Sequence, residues 1–97
     1  MVRRILLMQL TDQGVKDIKN APQRIEEGIK TFEKMGGKML AFYAVTGKYD
    51  YVAIGECPSE EVGMAFNIGL SALGYVRVTT INAYTKEEFA KMVKMLP

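Results

Sequence analysis

The 97-residue chain has no histidine, no tryptophan and only one cysteine, Cys57. Histidine is the commonest general base and metal ligand, so its absence removes the most frequent residue of such sites and excludes a His-ligated haem within one chain. A single cysteine cannot form an intramolecular disulfide or a thiolate zinc site. The acidic pairs Glu26–Glu27 and Glu60–Glu61 are adjacent residues that point to different sides of a helix, which indicates solvated faces. We therefore expect no metal and no cofactor.

The chain also lacks a strong excess of charge and a long apolar run. Thirteen Lys and Arg residues face eleven Asp and Glu, and the net charge of +2 is scattered, so we expect no nucleic-acid partner. The apolar run before Thr11 spans only about six residues, too short for a signal-peptide core or a membrane span. These features predict a cytoplasmic protein without a membrane partner.

The length predicts one domain over residues 1–97 with a small core. A chain of this size buries only about 60% of its unfolded surface, so additional burial through oligomerisation is the usual remedy. Hydrophobic residues make up 48% of the sequence and charged residues 25%, a balance typical of a folded globular domain.

Helix signals occur at three places. Thr11 can cap a helix whose apolar face runs from Val15 to Phe32, with a kink predicted near Pro22 and an end at residues 36–37. Ser59 can cap a second helix that ends at Gly74, with a buried face of Val62, Phe66, Gly69 and Leu73. Thr85 and Glu88 fit a capping box for a last helix with Phe89, Met92, Val93 and Leu96 on one face.

Four segments are predicted as strands: residues 3–10, 39–46, 51–56 and 75–84. The order β-α-β-β-α-β-α is typical of a ferredoxin-like βαββαβ fold of the α+β class with a C-terminal helix. In this fold both main helices lie on one face of a four-stranded antiparallel sheet. The strands carry apolar residues at both parities, for example Leu6 beside Ile5 and Leu7, so the second face is too apolar for water. We therefore predict a homodimeric α+β barrel in which two sheets pack face to face.

The motifs LTDQG, APQRIE, GGK, TGKYD, ECP, GYVRVTT and INAYTKEEF, together with Tyr43, span residues 10–89. This pattern is similar to the GYD-domain family, whose Gly-x-Tyr-Asp element is Gly47, Tyr49 and Asp50 in this sequence. The resemblance implies a dimeric α+β barrel, in a family without an established biochemical activity.

A narrower likeness lies in AVTGKYDYVAIGE and GYVRVTT, which resemble the effector-binding half of the leucine-responsive regulator family. That resemblance implies a small ligand, such as an amino acid, bound between dimers. No helix-turn-helix segment precedes this part of the sequence, so we expect a stand-alone sensor rather than direct control of DNA.

The candidate ligand-binding residues are Tyr43, Tyr49, Asp50 and Arg77. In the structural interpretation, Gly47 supplies a positive φ and Asp50 accepts hydrogen bonds from loop amides, so both residues shape the hairpin loop. In the functional alternative, Tyr49 and Asp50 lie at the rim of a barrel cavity. Arg77 in a strand predicts an ion pair with Asp50 or Glu56, or else contact with an anionic ligand.

Three classes of function are compatible with these residues. The first is a homodimeric module that binds a small molecule or a partner, and the second is a cofactor-free enzyme that uses Asp50 or Glu56. The third is a structural or interaction protein without a pocket. On the helix that begins after Ser59, Met64 and Ile68 are predicted to be exposed, as a patch for a higher oligomer or a partner.

Overall fold

The computed structural model describes all residues, 1–97, and contains four strands, four α-helices and one 3-10 turn. In chain order these are β1 Val2–Leu10, α1 Asp12–Lys16, the 3-10 turn Ile18–Asn20, α2 Ala21–Lys34, β2 Lys38–Ala44, β3 Tyr51–Cys57, α3 Glu60–Ala72, β4 Val76–Asn82 and α4 Lys86–Val93. The predicted elements are all present, and the strand ends differ by one or two residues, whereas α1 ends at Lys16 and α4 ends at Val93, before the predicted Leu96. None of the helices combines the length and the apolar composition that a membrane crossing requires.

Each predicted cap begins a helix. The hydroxyl oxygens of Thr11, Ser59 and Thr85 accept hydrogen bonds from main-chain amides three residues further on. These bonds satisfy amide groups that have no partner within the first turn of a helix. The helical region after Thr11 is split as predicted, because a 3-10 turn separates α1 from α2 and Pro22 lies in the first turn of α2, where its missing N–H costs no intrahelical bond.

The strands form one antiparallel sheet in the order β2-β3-β1-β4. Met8 of β1 lies opposite Tyr51 of β3 on one side and Val78 of β4 on the other. The pairing of β2 with β3 has one irregularity, between Met39 and Ala41. This topology, with α2 and α3 on the same side of the sheet, is the predicted ferredoxin-like α+β fold.

The core lies between the sheet and these two helices, in two small clusters. Met8, Tyr51 and Ala53 form one cluster on the sheet. Phe32 of α2 and Phe66 of α3 form the other with Cys57, and their ring centroids are 4.9 Å apart. The two helices therefore meet at Phe32 and Phe66.

Two predicted helix faces are only partly buried. Val15 and Ile18 are 56% and 46% exposed, because the 3-10 turn rotates the short α1 away from the apolar face of α2. On α3, Phe66 is buried but Gly69 and Leu73 are exposed. The inward face of α3 runs instead along Val62, Phe66 and Leu70, which pack against the second cluster.

The last helix, α4, extends away from the rest of the chain and buries no residue. The radius of gyration is 14.8 Å and the longest dimension is 52 Å, whereas a compact chain of this length has a radius of gyration of about 12.5 Å. Phe89 is 62% exposed and Val93 is 48% exposed. The apolar face of α4 thus has no partner within one chain.

Candidate functional site

The loop between β2 and β3 is held to the end of β1 by Asp50. The Asp50 carboxylate accepts a hydrogen bond from the Leu10 amide at 2.8 Å, and the Asp50 amide donates to the Met8 carbonyl at 2.8 Å. Gly47 has a φ of 105°, as predicted for this loop. Asp50 therefore has a structural role, and its partner is a strand amide rather than an amide of its own loop.

The other candidate ligand-binding residues lie at the same end of the sheet. Tyr43 and Arg77 are on the outer strands β2 and β4, separated by two strands, which is about 14 Å. Gln9, opposite Arg77, donates through Nε2 to the Lys48 carbonyl at 3.0 Å and so links this end of the sheet to the loop. Tyr49 lies beside Lys48, whose Nζ is 5.7 Å from the ring centroid. No hydrogen bond joins the four candidates to one another.

The ion pair predicted for Arg77 is absent. Glu56 pairs instead with Arg3, its direct neighbour across β1 and β3, with Nη2 and Oε2 3.0 Å apart. Arg3 also approaches Glu88 of α4, at 3.5 Å. The predicted ion pair was wrong because the register of the strands places Arg3 rather than Arg77 opposite Glu56, and Asp50 is bound to the Leu10 amide.

The sheet face opposite α2 and α3, called the open face, carries no helix over its centre. The register places these apolar residues on it: Ile5, Leu7, Val52, Ile54 and Ile81. Tyr43 and Arg77 share this face, and both are exposed. The ion pair between Arg3 and Glu88 places the first turn of α4 at the end of the strands that lies away from Tyr43 and Arg77. The open face and α4 are therefore next to each other.

A second exposed apolar area lies on the outer side of α3. Met64 is 57% exposed and Ile68 is 63% exposed, one helical turn apart, as predicted. No part of the chain folds over them, so they form a small patch, called the α3 patch.

A cleft between α2 and α3 was not predicted from the sequence. It has a volume of about 510 Å³, and most of its lining residues are apolar. Gly28 of α2 and Gly69 of α3 line it, and a Cβ built on either glycine would meet no atom within 4 Å. Glycines among apolar residues in two helices are the one signal of this cleft in the sequence.

One carboxyl group has a clearly perturbed titration. The main-chain amide of Thr85 donates to Glu88 at 2.7 Å, and this bond, together with the Thr85 side chain and the charge of Arg3, lowers the pKa of Glu88. Glu88 belongs to the capping box of α4, so the cause of this shift is structural. No group of three or more His, Cys, Asp or Glu residues is placed to hold a metal ion.

Comparisons with known proteins identify the family of this chain. A family model described as the GYD domain matches residues 5–93. A protein of Thermus thermophilus named glutamine synthetase and cystathionine beta-lyase binding protein is 32% identical over 80 residues, which are 81% of this chain and 84% of the relative. No solved structure gives a significant match. The family model covers almost the whole chain, and the chain therefore belongs to the GYD-domain family.

Proposed function

We propose that this chain is an interaction module: a homodimeric α+β barrel that binds other proteins and performs no chemistry on them. The observation that carries the proposal is the open face, an apolar sheet surface that the chain itself leaves uncovered. A face of this kind is costly in water and marks an interaction site on a folded domain.

The dimensions of the open face favour a second copy that also contacts α4. Four strands of about seven residues cover roughly 440 Å² in projection, whereas a stable interface buries about 800 Å² on each partner. The exposed side chains of Phe89 and Val93 on α4 supply further apolar area beside the sheet. Arg3 fixes this arrangement, because it binds Glu56 on the sheet and Glu88 on the helix.

The partner class comes from the relative, whose name states that it binds glutamine synthetase and cystathionine β-lyase. At 32% identity over most of both chains, we propose that this chain also binds enzymes. The α3 patch suits this role, because α3 lies on the side of the sheet away from the dimer contact. Met64 and Ile68 therefore stay exposed after dimerisation and are available to an enzyme or to another dimer.

A second candidate function is binding of a small molecule at the barrel rim by Tyr43, Tyr49, Asp50 and Arg77. Two observations support it: all four residues lie at one end of the sheet, and Arg77 has no ion-pair partner in the chain.

The cofactor-free enzyme is the weaker alternative. It needs Asp50 or Glu56 unpaired in a closed apolar cavity, where burial raises the pKa of a carboxyl group. Glu56 is bound to Arg3 at 3.0 Å and Asp50 to the Leu10 amide at 2.8 Å. These pairings favour an architectural role for both carboxylates.

The proposal is tested by binding of the purified chain to glutamine synthetase and cystathionine β-lyase from the same organism, measured by surface plasmon resonance. The double variant Met64→Glu with Ile68→Glu is expected to weaken binding at least tenfold, because it places two charges in an apolar contact. The control, Gln13→Glu with Gln23→Glu, adds the same charge at exposed helical positions and is expected to leave binding unchanged. If the chain binds neither enzyme, this choice of partners is contradicted. If the two double variants bind equally well, the role of the α3 patch as the contact surface is contradicted.

A further inference from the structure

The cleft between α2 and α3 is closed at one end and open at the other. Phe32 and Phe66 touch at the closed end, with ring centroids 4.9 Å apart. Ile25, near the start of α2, and Leu73, just after α3, line the other end of the cleft, where Leu73 is 61% exposed. The floor is the sheet surface around Met8. The result is a largely apolar slot, and its exposed end is called the mouth.

The size of the slot suits a small molecule better than a helix of a partner protein. Its volume of about 510 Å³ lies within the range of about 300–1,000 Å³ that is usual for small-molecule pockets. One turn of helix, about 11 Å across and 5.4 Å long, already encloses about 500 Å³. A partner helix would therefore fit by no more than one turn.

The polar groups are concentrated at the mouth. Arg24 lines the cleft there, and its Cζ lies 4.1 Å from the centroid of the Tyr75 ring. Both of its hydrogen bonds, to the Asp17 carbonyl at 3.0 Å and to the Asp17 carboxylate at 2.6 Å, use Nη1. The N–H groups on Nη2 and Nε thus remain free to donate to a ligand.

Free donor groups rather than net charge favour an anionic group at the mouth, because Arg24, Asp17 and Glu27 together carry a charge of −1 whereas Arg24 keeps unused N–H groups. Asp17 offsets part of the charge of Arg24, and Glu27 also lines the cleft, where Gln23 donates to it at 3.2 Å. Ala21, also on the lining, lies in the first turn of α2, which contains no acidic residue and has no side-chain cap. The positive end of the helix dipole is therefore not neutralised by the chain.

We propose that this cleft binds a small amphiphile with an apolar body and one carboxylate. The body lies between Ile25 and Leu70 above Met8, and the carboxylate at the mouth accepts hydrogen bonds from Arg24. This site is on the opposite side of the sheet from Tyr43 and Arg77, so it is independent of the barrel rim and of the dimer contact.

The test uses decanoate below its micelle concentration as the probe, with binding measured by calorimetry and located by amide chemical shifts. We expect decanoate to bind with a Kd below about 1 mM and to shift the amides of Ile25, Gly69 and Leu70. Decanol, which lacks the charge, is expected to bind at least tenfold more weakly. Failure of decanoate to bind, or shifts confined to the open face, overturns the site. Equal binding of decanol overturns the carboxylate assignment.

Variants of the two cleft glycines, with one control, distinguish a cleft that is filled from a chain that has lost its fold. Gly69→Leu is expected to abolish decanoate binding, because the new side chain enters the open space of the cleft. Ser71→Leu, on the same helix outside the cleft, is the matched control and is expected to bind like the parent. Gly28→Leu repeats the test from the other wall if Gly69→Leu melts at a lower temperature than the parent. Decanoate binding retained by both glycine variants overturns the proposal.

The charge at the mouth has its own variants. Arg24→Gln is expected to reduce decanoate affinity at least tenfold with little effect on decanol, whereas Arg24→Lys keeps the charge and restores much of the affinity. An equal loss for decanoate and decanol shows that Arg24 acts only on the shape of the cleft and contradicts a contact with the carboxylate.

Discussion

At the scale of single residues, the adjacent arginines Arg3 and Arg4 show how strand geometry separates neighbours. Successive side chains of a strand point to opposite faces of the sheet. Arg3 therefore lies on the open face and binds Glu56 and Glu88, whereas Arg4 lies on the helix side and binds Glu60 of α3. One basic pair thus anchors α4 on one side of the sheet and the start of α3 on the other.

Within the Gly-x-Tyr-Asp element, Gly47 has the backbone conformation that other residue types tolerate least. Its φ of 105° is in a region that β-branched residues avoid. Gly47→Val is expected to lower the free energy of unfolding by about 1 kcal/mol or more, measured by urea denaturation. Thr46→Val in the same loop is the control, because no residue other than glycine has a positive φ. Unchanged stability of Gly47→Val would mean that the loop does not hold this conformation in solution.

The capping box at Glu88 leads to a prediction about the pH dependence of α4 stability. Because hydrogen bonds from Thr85 favour its ionised form, the pKa of Glu88 is lower in the folded chain than in the unfolded chain. The stabilisation of α4 is therefore present above the unfolded pKa and is lost as the pH falls through the folded pKa. We expect carboxyl-detected NMR to give a pKa of Glu88 below the usual range and Thr85→Val to raise it. A normal pKa in the parent would show that the capping box is not formed.

At the scale of elements, the middle of α3 and the residue that caps its end make distinct contributions. Phe66 is buried against Phe32, whereas Leu73 is 61% exposed at the wide end of the cleft. We expect Phe66→Ala to cost about 3–5 kcal/mol of unfolding free energy. Leu73→Ala removes mostly exposed surface and is expected to cost less than about 1 kcal/mol. Similar costs for the two variants in chemical denaturation would mean that the cleft is closed in solution.

Local elements were predictable because their causes are local. Thr11, Ser59 and Thr85 each bind an amide three residues away, so the sequence alone locates the caps. Asp50 and Glu56 were both offered as partners of Arg77, because the true partner of Glu56 depends on the register between β1 and β3, which the sequence does not display. The cleft was missed for a related reason: the separation of α2 from α3 follows from their packing on the sheet, not from the periodicity of either helix.

At the scale of the whole molecule, one chain leaves two apolar surfaces uncovered: the open face and the side of α4 that carries Phe89 and Val93. The elongated shape, 52 Å in its longest dimension, results from α4 extending past the sheet. A second copy placed face to face covers both surfaces at once. The cleft and the α3 patch remain exposed on the outside of such a dimer, so self-association and partner binding do not compete.

The homodimeric barrel is tested by the mass of the purified chain in sedimentation equilibrium at micromolar concentration. We expect twice the 10.9 kDa of one chain, or a multiple of this dimer if the α3 patch also self-associates. Ile54→Lys, at the centre of the open face, is expected to reduce the mass to that of one chain, whereas Met64→Lys on the outside is expected to keep the dimer. A parent chain that sediments at 10.9 kDa with its fold intact would contradict the homodimeric barrel.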